Sequence, residues 1–193
     1  MATLTGDPTQ IAVGAGVLKW APLGTAEPAY TAASGVFSTT WPAGWLDLGW
    51  TEDGHTFAVQ QAVQDLTPEE EIWPVASYTT GMTGTVSFSL WYINVDTWNY
   101  ALNGGTTAAS GSGTTLVTVF TPPRIGTERA AMLGWESDDG EERMIWRQVR
   151  NRANVQVPRK KAPNKSIIPC EFHLEKPSGA EPWDYVVAGT TRS

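Results

Sequence analysis

The sequence has very few of the side chains on which most metal sites and disulfide frameworks depend. Its 193 residues include one cysteine, Cys170, and two histidines, His55 and His173. A single cysteine excludes an internal disulfide and fits a reducing compartment. A structural zinc site takes about four Cys, His or carboxylate ligands, which one thiol and two distant histidines do not supply. We therefore predict no metal site.

Catalytic motifs are also missing. A hydrolytic triad needs a histidine base beside a nucleophile, and neither histidine lies in a recognisable nucleophile motif. His55 follows an Asp-Gly pair, and His173 falls on the polar side of a predicted strand. No glycine-rich phosphate loop follows a strand. We predict a protein that is not an enzyme and has no catalytic or cofactor-binding residues. A hydrolase that uses His55 or His173 is the third-ranked alternative.

Two further features are given structural interpretations. The acidic run Ser137–Glu142 has the composition of a calcium loop, but it lacks the alternating ligands and the closing glutamate of that motif. We predict a hairpin turn there, with Asp139-Gly140 at its tip. Cys170 is predicted to be a small apolar core residue.

Long hydrophobic runs are absent as well. No apolar segment approaches the ~20 residues that span a bilayer. The N-terminus lacks the basic region and apolar run of a secretory signal. We expect no membrane contact.

Basic residues are scarce in the first part of the chain. Residues 1–123 contain one, Lys19, against ten acidic residues, whereas residues 124–193 contain twelve basic and ten acidic ones. A surface that grips DNA needs Lys and Arg to neutralise phosphates. The first part therefore suits a surface that DNA passes without binding, or it serves solubility alone.

The segment from Arg143 to Lys165 holds eight basic residues and no acidic one. Nucleic-acid contact is one interpretation, but neither a helix nor stacked aromatics accompany the segment. We favour a second interpretation, in which the acidic and basic surfaces of separate copies attract one another head to tail. Such contacts generate rings and stacks.

Composition points to β-structure. The 19 glycines and 13 prolines favour many turns and little helix. The ten tryptophans are unusual for this length. Tryptophan fills cores and is also enriched at interfaces, so a tryptophan-rich core and tryptophans that seal subunit contacts both remain open.

The clearest pattern lies between Glu71 and Gly105. Apolar residues alternate with small polar ones from Thr85, at Val86, Phe88, Leu90 and Tyr92. This period of two predicts a long strand with one buried face. Trp91, Ile93 and Val95 make its far end apolar on both sides, so we expect cover on both. Asp96 is the predicted N-cap of a short helix that ends at Asn103-Gly104-Gly105.

Other strands follow from the same reasoning. They are predicted at Thr56 to Leu66 after a turn at Glu52–His55, at Leu116 to Phe120 as a buried strand, at Arg129 to Glu136 and Glu142 to Val157 as a hairpin, and at Ser166 to Leu174. The segment 105–115 is predicted to be flexible or to cap a sheet edge.

These patterns predict a mainly β fold, an antiparallel β-sandwich or partial barrel with one short α-helix at about Asp96-Leu102. We predict a single domain over residues 1–193. It comprises an extended N-terminal arm region at 1–50, a β core at 51–177 and a C-terminal tail at 178–193, where Trp183 to Val187 anchors a last strand. Because the arm is poor in large apolar residues, we expect it to lie along other surfaces, including those of other subunits.

The sequence resembles the major tail (tail tube) proteins of long-tailed bacteriophages, of siphophage type. The matching pieces are Gly16 to Pro28, Trp45 to Gly54, the strand-to-helix passage Gly84 to Ala101, and Ile168 to Phe172. Their order and the overall length give the resemblance its specificity. The high tryptophan content departs from the family pattern.

The resemblance implies a tail-tube fold and a structural virion protein that self-assembles into stacked hexameric rings, the conduit for DNA ejection. It implies the tape-measure protein inside the tube during assembly, contacts with tail terminator and distal tail proteins, and genomic DNA passing through the lumen without sequence-specific binding. It places the protein in the virion tail after assembly in the host bacterial cytoplasm. By analogy, the Asp65 to Ser77 loop, residues 1–50 and the C-terminal tail are candidates for contacts between rings.

One alternative from a different class stays open. A phage decoration protein or receptor-binding β-sandwich module would remain a monomer or trimer on the virion surface. It would bind glycan or host cell wall rather than polymerise.

Overall fold

The computed structural model describes residues 15–159, 161 and 165–188. Within these ranges the chain forms twelve strands and one α-helix, together with a short 3-10 turn at Gly113–Thr115. In chain order they are β1 (Gly16–Pro22), β2 (Ala32–Ala33), β3 (Val36–Phe37), β4 (Leu46–Asp47), β5 (Thr51–Leu66), β6 (Ala76–Leu90), α1 (Val95–Ala101), β7 (Thr106–Ser110), β8 (Val117–Thr121), β9 (Ala131–Ser137), β10 (Glu142–Asn151), β11 (Ile168–Leu174) and β12 (Trp183–Val187).

One large antiparallel sheet organises these elements. Its strand order is β4-β1-β9-β10-β11-β6-β5, and β12 pairs with the first half of β10. The sheet folds back on itself: the ring of His55 on β5, the last strand in this order, lies 5.3 Å from that of Trp135 on β9, the third. The core fills the space between the two halves, as the predicted β-sandwich or partial barrel requires.

The short helix is confirmed, but its predicted cap is wrong. The N-cap is Asn94, whose side chain accepts a hydrogen bond from the Thr97 amide at 2.8 Å, while the Thr97 hydroxyl accepts one from the Asn94 amide at 2.9 Å. This reciprocal pair is a capping box. Asp96 therefore lies inside the first turn rather than before it. The predicted stop is confirmed, since Asn103 adopts a φ of 57° just after the helix.

The two long strands differ from their predicted limits. β5 begins at Thr51, so the predicted turn at Glu52–His55 is wrong. Those residues form an irregularity within the strand, where the register with β6 shifts between Thr51 and His55. Gly54, at a φ of 74°, permits this bulge. β6 ends at Leu90, beyond which Ile93 packs against the core while Tyr92 is 66% exposed, so cover of the second face by a neighbouring subunit stays a prediction.

The N-terminal region contributes to the core of its own chain. β1 pairs with β9 along its full length, and Leu18, Ala21, Trp45 and Leu48 are buried. Residues 16–48 therefore lie along the sheet of their own chain, and contact of the arm region with other subunits stays a prediction. Residues 1–14 of the predicted arm lie outside the described ranges.

Small residues explain this packing. A Cβ atom on Gly134 of β9 would lie 2.5 Å from the Trp41 ring and 3.0 Å from the Trp45 ring. The bare backbone there lets the two indoles, themselves in edge contact at 4.7 Å, cover the sheet closely.

The predicted buried strand at Leu116 to Phe120 is wrong in its burial. β7 and β8 form a separate two-stranded hairpin on which Val117 and Val119 are more than half exposed. The segment predicted as flexible or edge-capping supplies β7 and the turn.

The remaining β predictions are confirmed. The β9–β10 hairpin turns at Ser137–Gly140, although β10 ends at Asn151 rather than Val157. Ile168, Cys170 and Phe172 of β11 are buried on one face. β12 forms at the predicted last strand. Across the described ranges, no helix has the length and apolar character needed to cross a membrane.

Candidate functional site

The two histidines, at positions 55 and 173, occupy different environments within the described residues. The His55 ring packs between Trp135 and Trp146, with centroids 5.3 and 5.6 Å away. Burial lowers the pKa of His55 below its usual value. His173 is partly exposed and its Nε2 lies 2.9 Å from the Glu171 carboxylate. Among the described residues, no three His, Cys, Asp or Glu side chains gather as a metal ion would require.

The thiol of Cys170 is buried in the core, as predicted, at 3% exposure. Burial raises its pKa from an ordinary 9.0 to about 12. Because only the thiolate attacks thiol reagents, the reactive fraction near neutral pH falls roughly a thousandfold.

We therefore expect that a disulfide reagent leaves Cys170 unmodified while the protein stays folded. Full labelling should appear only after unfolding in denaturant, which serves as the positive control. Colorimetric thiol titration measures both. Stoichiometric labelling of protein that keeps its native circular dichroism would contradict the burial of this side chain.

The first basic residue of the Arg143 to Lys165 segment is buried. Arg143 is 1% exposed, and its Nε donates to the Glu136 carboxylate at 2.9 Å. Its Nη atoms donate to the hydroxyl and carbonyl oxygens of Thr39. The guanidinium also lies over the ring of Phe37 at 4.3 Å. Arg143 thus fastens residues 37–39 to the sheet.

Other members of the segment also pair within the chain. Arg147 binds the carboxylates of Glu27 and Asp184, and the hydrogen bond from Arg147 holds the pKa of Asp184 below its usual range. Lys165 pairs with Glu52 at 2.8 Å. Arg150 and Arg152 approach Glu175 at 3.4 and 3.6 Å. Five of the eight basic residues of the segment therefore form ion pairs within the chain, and attraction between copies stays a prediction.

Much of the β5–β6 hairpin is uncovered in the described part of the chain. The face of the hairpin that enters the core carries Phe57 and Val86, a directly paired couple. Further along the same face lie Val59, 40% exposed, and Met82, 61% exposed. A Cβ atom on Gly84 would lie 2.9 Å from Cδ2 of Leu174, so β11 covers this face at that point. Beyond it, Val59, Gln61 and Met82 are exposed, and we call these three residues the uncovered face.

The same hairpin leaves a backbone edge open. β5 is the terminal strand of the sheet, and β6 is its one partner among the described residues. An edge of 16 residues presents many unpaired amide and carbonyl groups, which readily pair with another chain. The opposite face of the hairpin is polar, with Thr56, Gln60, Thr83 and Thr85 along it.

The hairpin ends in a loop that we call the tip, residues 67–75. Three of its residues are glutamates, at positions 69 to 71. Ile72 is 92% exposed and Trp73 77% exposed. Two backbone hydrogen bonds, Glu71 to Pro68 and Val75 to Leu66, give the tip a defined shape. The predicted Asp65 to Ser77 candidate loop thus includes the end of each strand and the whole tip.

Sequence reasoning missed the uncovered face. The glutamines at 60, 61 and 64 weaken the apolar signal of the strand, so the pattern does not show that Val59 is exposed. The available signal was the length of the alternation, since two strands of 16 and 15 residues exceed the usual 3–10 residues of strands in globular proteins.

The chain matches the sequence model of a known protein family. The sequence model of a family described as phage tail tube protein matches residues 5–183. No curated protein matches the chain.

Proposed function

We propose that this chain, which belongs to the phage tail tube protein family, assembles into stacked hexameric rings that form the conduit for DNA ejection. The family is one of structural components of the phage tail. The ring, its stacking and the passage of DNA are our proposal.

The observation that supports this proposal most is that the β5–β6 hairpin has an unpaired edge and an exposed face. It has an open edge of 16 residues and an apolar face that continues past the body of its own chain. Copies arranged around an axis can each place this hairpin against the next, so that edges pair and uncovered faces become buried. Closing a sheet in this way removes its edges altogether. A heterologous contact that closes on itself gives a ring.

The polar face of the hairpin suits a bore. Between Lys19 and Arg124 the chain has no basic residue, so neither β5 nor β6 carries one. DNA that passes such a wall meets hydroxyl, amide and carboxylate groups but no cation with which to pair its phosphates. We propose that the face with Gln60 and Thr83 lines the lumen.

Further partners and the place of assembly are proposed by analogy with tail tube proteins. We propose that the tape-measure protein occupies the lumen during assembly, that tail terminator and distal tail proteins meet the two ends, and that assembly takes place in the host bacterial cytoplasm. We also propose that the tip of each copy contacts the next ring in the stack.

Electron microscopy of the purified protein tests this proposal. We expect hollow tubes or rings with sixfold averages in negative stain, and a sedimentation profile that shifts with concentration. Compact monomers that persist at high concentration would contradict it. A monomer or trimer that also binds host cell walls in a pull-down would favour the decoration or receptor-binding alternative.

A further inference from the structure

The tip carries its apolar side chains away from its own chain. Trp73 and Ile72 are among the most exposed large apolar residues of the described structure. They follow directly after Glu69, Glu70 and Glu71, for which no ion pair is formed within the described residues. A rigid indole beside three carboxylates is a segment suited to a cavity with apolar walls and a basic rim, because Trp and Arg dominate interface hot spots.

One cavity of the chain has these properties. We call it the Trp20 pocket; its volume is about 470 Å³, and its walls include Trp20, Leu23, Tyr100, Gly104 and Ala131. The rings of Trp20 and Tyr100 lie 4.6 Å apart. This volume is well within the range of cavities that bind small organic ligands, ~300–1,000 Å³, and it accommodates an indole ring.

The rim of the Trp20 pocket carries one basic residue, Arg129, and a second arginine lies on the same loop. Arg129 lines the cavity and its side chain is exposed. Arg124, on the same loop, is exposed as well. Neither arginine forms an ion pair within the described residues. The carboxylate of this loop, Glu128, instead accepts a hydrogen bond from the Gly126 amide at 2.8 Å. Two guanidinium groups therefore remain for an acidic segment from outside.

A second cavity offers the wrong charge. It measures about 670 Å³ and is lined by Trp50, Trp91 and Tyr92, so it is also apolar. Its wall, however, includes Asp47 and Asp96. Lys19 pairs with Asp47, which leaves Asp96 facing any acidic occupant. Repulsion between Asp96 and the tip glutamates would therefore disfavour docking of the tip in this second cavity.

We propose that the tip of one copy docks in the Trp20 pocket of a second copy, with the Trp73 indole between Trp20 and Leu23 and the tip glutamates against Arg129 and Arg124. This inference rests on the proposed function, because it names the receptor for the tip in the assembled tube. It adds a specific pocket and a charge pairing.

Two substitutions of exposed tryptophans test the role of the indole. Trp73→Ala should raise the protein concentration needed for tube formation roughly 30-fold or more, the effect of removing one interface hot spot. Trp50→Ala removes an equally exposed indole from the second cavity and is the matched control, expected to assemble as the unchanged protein does. Equal effects of the two variants would overturn the assignment.

Charge exchange tests the rim. Arg129→Glu and Glu70→Arg should each impair tube formation, and the two together in one chain should restore it, because every copy then offers a reversed tip and a reversed pocket. A double variant no better than the worse single variant would overturn the pairing.

Cysteine cross-linking tests the contact itself. The native Cys170 is buried, so engineered thiols dominate the reaction. Tubes grown from an equal mixture of Ile72→Cys and Leu23→Cys copies should give disulfide-linked dimers containing one copy of each. A mixture of Ile72→Cys and Trp50→Cys copies should give none.

The outcomes separate the two proposals. Tubes without the Ile72–Leu23 cross-link, or with the Trp50 cross-link instead, overturn the docking assignment and leave the proposed function standing. Absence of both tubes and rings in the unchanged protein overturns both.

Discussion

Two carboxylates on the uncovered face of the β5–β6 hairpin are expected to turn an assembling protein into a folded monomer. The variant is Val59→Asp with Met82→Asp. In the isolated chain both sites are substantially exposed, so the folded state tolerates the new charges. In the proposed ring both become buried against a neighbour, and burying an unpaired charge costs several kcal/mol. Six-fold repetition of that cost around a ring would abolish assembly.

A matched control carries the same charges on the opposite face. Ala58 and Thr83 lie in the same diagonal relation across the two strands as Val59 and Met82. Ala58→Asp with Thr83→Asp should still form tubes, because this face meets water in the proposed lumen. Each variant should melt within about 2 °C of the unchanged protein, since surface substitutions change stability little.

Negative-stain microscopy and analytical ultracentrifugation measure assembly, and thermal melting confirms folding. Tubes from the Val59 and Met82 variant would show that no copy covers that face. Loss of tubes from both variants would show that the two faces are not distinguished as we propose.

The second large effect is expected at Arg143. Its guanidinium is buried and binds Glu136, Thr39 and the ring of Phe37. Arg143→Met keeps much of the volume but leaves the Glu136 carboxylate without its cation. Breaking a buried ion pair from one side costs roughly 3–5 kcal/mol, a large share of the roughly 5–15 kcal/mol that stabilises a typical domain.

Urea unfolding followed by tryptophan fluorescence measures this loss. The matched control is Arg152→Met, since Arg152 is 58% exposed and lies 3.6 Å from Glu175; exposed pairs contribute about 1 kcal/mol or less. Adding Glu136→Gln to Arg143→Met should recover part of the lost stability. The neutral amide of glutamine replaces the carboxylate, so no unpaired charge remains at this position. Equal losses in the Arg143 and Arg152 variants would contradict a buried, structure-forming role for Arg143.

Arg143 affects assembly through the position of residues 37–45. The guanidinium holds Phe37 and Thr39 in place, and the indoles of Trp41 and Trp45 then cover Gly134. Loss of this clamp should expose the outer side of β9. We therefore expect the Arg143→Met protein to form irregular aggregates rather than tubes when warmed.

The sequence by itself determined the class of the fold and many of the points at which its strands and helix begin or end. The alternation at Val86, Phe88 and Leu90 specified a strand with one buried face, and Asn103-Gly104 specified the end of the helix. These signals are local, because the backbone geometry of a strand or a helix end depends on neighbouring residues. The scarcity of histidine and cysteine likewise predicts a protein that is not an enzyme.

Only the tertiary structure decided which surfaces are covered and which charges are already paired. The same alternation occurs at Phe57 and Val59, yet the first packs against the core and the second stands free. Arg147 finds Glu27, 120 residues away in the chain. Burial and ion pairing depend on residues that are distant in sequence, so periodicity and composition cannot assign them. The exposure of the β5–β6 hairpin, on which the proposed assembly rests, depends on where the folded sheet ends its contact with the core.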